Sequence, residues 1–495
     1  MSHVKYLNKM LKLFTQANLQ IQLPILQQRW TSINNHITDF AIRSYNYTIV
    51  LPSSIDLNST DDIRTSIKQL SRIIQTKYDT LTHALNDKQI RNFVRQRCDD
   101  YHDNQKHMID SFLDRSKRTI IIDRVLQTQD DHQLLVTDPN EIKRLTNEHF
   151  QTCAGGVHTP KIIPDQWKDQ YKPRHDLLPS IYDNLMSSPS SQEWADVIQQ
   201  LPLHKASGPS GITNEMLKHL GPNMSETLRK FVAGCLLLND IPSAWREAYV
   251  YPIPKPKEWE CNLNNTRPIT LLETTRKAMV RLLNNRLAKI FVQHKVLRGN
   301  QFAGLPGTST FEPLRIINEI IEDAKEKHNE IWLLFQDMSK AYDRLNIHML
   351  RHALDRLQIP SQFSTLICNL FTQRKNRVFT AVGTTTPYDV LIGIDQGEVI
   401  SPLLWCIYYD PLLCEIEKQK LGYTINHSYR QNVYSDSLTS LQHTSSSLAF
   451  MDDTTWIASS QQNLESILSI ADDFNNLNNI LVNKSKSELL VYVPG

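Results

Sequence analysis

The sequence predicts an α+β fold in which helices cover an antiparallel sheet whose strands end in acidic residues. Three observations predict it. Asp452-Asp453 sit between the apolar runs Leu448-Ala449-Phe450 and Thr454-Thr455-Trp456-Ile457, the pattern of a β-hairpin with carboxylates at its tip. A third acid, Asp337, closes another apolar run, Ile331-Trp332-Leu333-Leu334-Phe335. Helical stripes interleave with these strands: Leu350, Ala353, Leu354 and Leu357, then Leu464, Ile467, Leu468, Ala471 and Phe474. Carboxylates at the ends of adjacent strands can converge on two divalent cations, which clamp the attacking and leaving oxygens of a phosphoryl transfer.

In chain order, residues 1 to about 118 read as mostly helical, with Ile63, Ile67, Leu70 and Ile74 spaced by four, three and four. Ile120-Ile121-Ile122 and Leu134-Leu135-Val136, separated by a polar stretch, read as a hairpin. Asp138-Pro139-Asn140-Glu141 starts a helix, with an N-cap acid, proline at the first position and glutamate at the third. Residues 153 to 192 read as loop, with Pro160, Pro164, Pro173, Pro179 and Ser187-Ser188-Pro189-Ser190, and the main boundary is expected near 190. Three segments follow: a mostly helical 1–190 with hairpin and linker, then 191–330 and 331–495, where helices and strands mix. Ser401-Pro402 reads as an N-cap and first-position signal for the apolar helix Leu403 to Leu413. Asp472-Asp473, with no strand before it, reads as the solvated face of a helix. No internal repeat is present.

The 495 residues have room for two to four domains, and 40% hydrophobic with 21% charged residues is a globular composition. A formal charge of +2 allows a basic groove but gives no support of its own for nucleic-acid binding. The seven cysteines form no CxxC pair and no zinc spacing. Their odd number and the lack of a signal-type start lead us to expect a reducing, intracellular location, nucleus or cytoplasm. No apolar run has bilayer-spanning length, so no membrane partner is expected.

From about 201 onward a series of blocks resembles the reverse transcriptase of non-LTR (LINE-like) retrotransposons, in the order of that family. They are Lys205 to Ile212 (KASGPSGI), Ile241-Pro242 with Trp245, Pro252-Ile253-Pro254-Lys255, Arg267 to Leu272 (RPITLL), and Gln301-Phe302 with Gly304. Asp337 to Asp343 (DMSKAYD), Gly393, Gln396-Gly397 with Ser401-Pro402, Phe450 to Asp453 (FMDD), and Asn483 with Lys486-Ser487 complete it. A single block would say little; the ordered series spans most of 201–495.

The resemblance implies a polymerase right hand, with fingers over 191–330, a palm over 331–495 with an antiparallel sheet, and a mostly helical N-terminal extension. The family's thumb would lie beyond Gly495 and is expected to be missing, as are an endonuclease, an RNase H and a zinc knuckle. The resemblance further implies RNA-directed DNA polymerisation with an RNA template, a DNA primer, dNTPs and two Mg²⁺ ions. Asp337 and Asp452 would bridge the metals, with Asp453 assisting. Tyr342 would be a steric gate against the 2′-hydroxyl, the group that tells ribo- from deoxyribo-substrates. Gln396 and Gly397 would approach the nucleotide and template base, Arg267 and Lys255 would meet the triphosphate, and Lys486 would protonate departing pyrophosphate. Two departures stand out: Ser210 replaces the family's usual acid, and Gln336 stands before Asp337 where an apolar residue is common. The competing reading is a truncated or domesticated remnant that binds nucleic acid without catalysis. An RNA-dependent RNA polymerase shares the paired acids but fits Tyr342 and the Gln396–Pro402 block poorly. A group II intron maturase fits the Lys205–Ile212 and Asp337–Asp343 blocks less well.

Overall fold

The computed structural model describes residues 120–494 apart from 130–131, 156–160, 256–257 and 431–437, with scattered positions between 35 and 99. The chain forms two compact units, Met1–Lys117 and Arg118–Gly495. In the first, every described residue is helical and nearly all are exposed. The expected stripe Ile63, Ile67, Leu70 and Ile74 lies outside the described residues.

The second unit opens with an antiparallel hairpin of β1 (Val125–Gln129) and β2 (His132–Val136). Its first strand starts after the Ile120–Ile122 run that suggested it. Ile120 and Ile122 are buried instead, and the Ile122 carbonyl accepts from the Ala381 N–H at 3.0 Å. Helix α1 (Pro139–Cys153) begins where the sequence puts it: the Asp138 carboxylate accepts from the N–H groups of Asn140 and Glu141 at 3.0 and 2.9 Å.

The proline-rich stretch that follows is not a linker. It holds α2 (Asp165–Tyr171) and a 3₁₀ turn at Pro179–Tyr182. Trp167, Tyr182 and Leu185 are buried in the main core, the Trp167 ring edge-on to Phe474 at 5.3 Å, and Tyr182 Oη donates to the Leu357 carbonyl at 3.0 Å. The units therefore divide at 117/118 and not near 190. The prolines bend a chain that wraps the core, and the aromatic anchors between them hold it there.

Next come α3 (Ser191–Gln199), α4 (Asn214–Lys218), α5 (Pro222–Leu238), β3 (Glu247–Pro254), β4 (Thr266–Leu271), α6 (Thr274–His294) and α7 (Phe311–Glu326). Then follow β5 (Ile331–Gln336), β6 (Met338–Ser339), α8 (Ala341–Arg344), α9 (Ile347–Arg356), α10 (Ser361–Leu370), β7 (Arg374–Thr380), β8 (Gly383–Thr384) and β9 (Tyr388–Val390). The last are α11 (Ser401–Gln419), β10 (Tyr423–Arg430), β11 (Leu438–Ser445), β12 (Ser447–Phe450), β13 (Asp453–Ala458), α12 (Gln461–Asn478), β14 (Leu481–Val482) and β15 (Glu488–Tyr492).

Two sheets organise the unit. One is mixed, in the order β4-β3-β7-β8 with β9 also on β7; its β3–β7 pair is parallel. The other is fully antiparallel, in the order β12-β13-β5-β15. Its Ile331, Leu333, Leu448 and Ile457 pack against Ile320 and Ala324 of α7. Its opposite face sends Ala449, Trp456 and Ala458 into the core with α11 and α12. With helices on both faces, β13 is buried along nearly its whole length, which is why its sequence runs apolar instead of alternating. Helix α11 is buried all round from Leu403 to Leu413, with Trp405, Tyr408 and Tyr409 fully enclosed, so this stretch carries no polar face to read. No described helix is long and apolar enough to cross a membrane.

Candidate active site

The site is built from two strand ends. Strands β12 and β13 pair from Ser447↔Trp456 to Phe450↔Asp453, leaving Met451 and Asp452 as the turn. Met451 takes the left-handed conformation at φ 58°, which tightens the turn. Strand β13 pairs in turn with β5, Thr454 opposite Gln336, so Asp337, the residue after β5, lies beside Asp453. The hairpin tip and the third acid share one end of one sheet, as the sequence implies.

The electrostatics show how close the acids are. Burial first, then Asp453 and Asp337, push the Asp452 carboxyl above the usual range, while Arg267 opposes the shift. Burial and Asp337 likewise raise Asp453, opposed by Lys486. The Asp337 carboxylate is held from the C-terminal side: Oδ2 accepts from Asn483 Nδ2 at 2.8 Å and lies 3.7 Å from Lys486 Nζ. The backbone repeats the tie, with the Asn483 N–H on the Asp337 carbonyl at 2.8 Å and β14 paired to β6. Among the described residues no three His, Cys, Asp or Glu side chains form a ready metal-holding group. The donor set nevertheless fits a divalent cation. Three mutually repelling carboxylates are hard oxygen ligands, and a cation would relieve the raised proton affinity of Asp452 and Asp453, once Asp337 exchanges Lys486 for it.

Tyr342 lies on α8, its ring 5.9 Å from Trp405 and its Oη 3.5 Å from Met451 Sδ, so it faces the acid turn. Burial and Asp452 both raise its phenol pKa. Gln396 donates from Nε2 to Asp343 Oδ1 at 3.0 Å. A Cβ on Gly397 would stand 2.2 Å from the Thr270 carbonyl, so only glycine lets this loop lie against β4.

Residues 253–493 match the family model described as reverse transcriptase (RNA-dependent DNA polymerase). The chain carries a reverse transcriptase domain. It is 26% identical over 349 residues to the probable RNA-directed DNA polymerase from transposon BS of Drosophila melanogaster, covering 69% of this chain and 38% of that one. It is 29% identical over 219 residues to the probable RNA-directed DNA polymerase from transposon X-element of the same organism, covering 44% and 24%. The chain thus spans well under half the length of these relatives. An apo telomerase from Candida tropicalis, truncated from its C-terminal domain, aligns with 51% of each chain at 14% identity and a TM-score of 0.35.

Within the reverse transcriptase domain the expected cations take different partners. Lys486 stands at Asp337, and Arg267, exposed on β4, is close enough to act on Asp452. Lys255 follows directly on β3. Its Nζ donates to the Asn264 carbonyl at 2.7 Å, and with Lys340 it adds to the burial that lowers the pKa of His149 to about 4.

Both departures from the family pattern find partners. Ser210 gives its N–H and Oγ to the two carboxylate oxygens of Glu273 at 2.7 and 2.6 Å, where an acid would repel. Gln336 is buried and accepts from Trp456 Nε1 at 2.9 Å. Gln336→Leu therefore leaves a buried indole N–H unpaired, an expected loss of ~1–3 kcal/mol in denaturant unfolding. A midpoint equal to wild type would show that the indole finds another acceptor.

Other contacts around the site were not legible in the sequence. Gln301 clasps the acid turn, accepting from the Met451 N–H at 2.9 Å and donating to its carbonyl at 3.2 Å, where Trp405 Nε1 also donates at 2.9 Å. Arg276 and Arg374, both buried, grip Asp395 and Glu398 on either side of Gln396-Gly397. Burial raises the Glu398 carboxyl and lowers the Arg374 guanidinium, each partly offset by its partners. Ser401 is not the cap of α11: Ile400 holds that position, and Ser401 Oγ donates back to the Asp395 carbonyl at 2.9 Å. Asp472 and Asp473 are exposed on α12, as expected.

Proposed function

We propose that this chain extends a DNA primer on an RNA template as the reverse transcriptase of a non-LTR mobile element, with 191–330 acting as fingers and 331–495 as palm. The observation that carries the reading is the strand register that sets Asp337 beside the Asp452-Asp453 turn. Asp337 and Asp452 would hold two Mg²⁺ ions with Asp453 assisting, and bound Mg²⁺ supplies Lewis acidity to the primer hydroxyl and the triphosphate.

The chain's own residues do the rest. Tyr342, packed beside Trp405 and Met451, excludes a 2′-hydroxyl from the space over the acids. Gln396 and Gly397 offer a side-chain amide and bare backbone to the nucleotide. Arg267 and Lys255 meet the triphosphate from β4 and the end of β3. Lys486 Nζ, freed from Asp337, gives a proton to the departing pyrophosphate oxygen.

The test is primer extension on RNA with dNTPs and Mg²⁺. Tyr342→Val is expected to leave extension intact while lowering the dNTP over NTP ratio of kcat/KM ~10–100-fold, each ~1.4 kcal/mol of lost clash being about tenfold. An unchanged ratio in the active variant would reduce Tyr342 to a packing residue. A wild-type protein that binds primer–template but never extends it would leave the binding-only reading.

A further inference from the structure

Four charges are buried beside the loop that follows β9. Arg276 gives Nε to Glu398 Oε2 at 2.8 Å and a terminal nitrogen to Asp395 Oδ2 at 3.3 Å, and its other terminal nitrogen holds the Trp245 carbonyl at 2.9 Å. Arg374 gives one terminal nitrogen to Asp395 Oδ1 at 2.9 Å. Its remaining donors go to the backbone, onto the carbonyls of Ile392 at 2.7 Å, Gly393 at 2.8 Å and Phe371 at 3.1 Å. Two guanidiniums and two carboxylates thus balance in charge, with side chains at most 3% exposed. Burying such a set is costly and is weak evidence of stabilisation by itself. It does impose one geometry, because each planar guanidinium has its partners in fixed directions.

That geometry reaches Tyr342. The Gly393 N–H donates to the Leu345 carbonyl at 3.0 Å, and the Ile394 N–H donates to the Tyr342 carbonyl at 2.8 Å. The approach is so close that a Cβ on Gly393 would stand 2.5 Å from the Asp343 carbonyl oxygen and 2.7 Å from that of Tyr342. The same short loop presents Gln396 and Gly397, and its end is pinned by Ser401. Its hold on Tyr342 and its presentation of Gln396 therefore depend on one set of buried ion pairs.

We propose that Asp395 and Glu398, gripped by Arg374 and Arg276, are positioning residues for sugar selection: they press the Gly393–Glu398 loop onto the backbone of Tyr342 and so fix where its ring stands. The inference rests on the gate role of Tyr342 proposed above. The ion pairs touch no substrate and act through the loop. A loosened loop lets the ring withdraw, which admits a 2′-hydroxyl without removing the acids.

The test uses Asp395→Asn, which keeps size and one acceptor but removes the charge between the two arginines, and Glu398→Gln, which leaves the Asp395 bridges in place. We expect Asp395→Asn to lower the dNTP over NTP ratio of kcat/KM at least fivefold, through a lower KM for NTP with kcat for dNTP within a factor of three. Glu398→Gln should shift the ratio in the same direction by a smaller factor. In a Tyr342→Val background neither change should alter the ratio further, because the residue they position is gone; a scaffold effect would add independently. Hydrogen exchange gives a reading free of activity: the Ile394 amide should exchange at least tenfold faster in Asp395→Asn, and also faster in Glu398→Gln should the first variant fail to fold. A ratio unchanged in folded, active Asp395→Asn, or a full additional shift on top of Tyr342→Val, overturns the inference while leaving the polymerase reading standing. A wild type that extends no primer fails the polymerase reading instead, and the Ile394 exchange rate then decides the loop coupling, equal rates in wild type and variants overturning it.

Discussion

Asp452→Asn is expected to abolish primer extension and, at neutral pH, to raise the melting temperature. The activity loss follows from removing a carboxylate that would hold the reaction's cation. Several kcal/mol of charge stabilisation depend on it, about 10³-fold or more in rate. The stability gain follows from the pKa. Burial and the neighbouring acids hold the Asp452 carboxyl above its ordinary value of 3.8. A carboxyl raised in the folded state contributes stability that is fully present below the unfolded pKa and lost as pH rises through the folded one. At pH 7 the wild type therefore carries the repulsion and the asparagine variant does not; near pH 3 the two should melt alike. Added Mg²⁺ should stabilise the wild type by mass action and leave the variant almost unmoved. A variant that melts lower at pH 7 would make Asp452 a structural residue, and one that still extends primers would end the two-metal reading.

Arg276→Met should cost about 3–5 kcal/mol in denaturant unfolding, because it strands Glu398 and one oxygen of Asp395 without their partner in a fully buried site. The loss comes from the charges left behind and not from the arginine's own contribution. Arg276→Met combined with Glu398→Leu should therefore recover much of it, the remaining Arg374–Asp395 pair staying balanced. If the double variant is as unstable as the sum of the single ones, the cost lies in packing around the Trp245 carbonyl and not in stranded charge.

The acid turn was legible because its chemistry and its strands are local: two acids between apolar runs leave few alternatives to a hairpin tip. Asp337 was legible for the same reason, as the end of an apolar strand, although its register with Asp453 needed the sheet. The start of α1 was spelled by Asp138-Pro139, while the start of α11 misled. There the hydroxyl of Ser401 turns back to Asp395 and leaves the N–H groups of its own helix uncapped by a side chain. Arg276, Arg374, Asp395 and Glu398 read as ordinary charges in the chain. Only the packing of α6, β7 and the loop before α11 removes them from water and pairs them. The clasp of Gln301 on Met451 joins residues 150 apart in sequence. The backbone partner of Lys255 was not legible either: its ammonium donates to the Asn264 carbonyl, nine residues on.

Trp167, Tyr171, Tyr182 and Leu185 stand upstream of the segment that matches the family, yet they are sunk among the helices behind the acids. The reverse transcriptase domain is therefore not a cassette with an edge at 253 or at 191. A piece cut at either point would bare Phe474 of α12 where Trp167 packs and His352 of α9 where Tyr171 packs, and a chimera spliced there would inherit a core with missing keys. The compact unit that holds this core intact begins at Arg118, so the wrapping segment and the acids belong to one folding body.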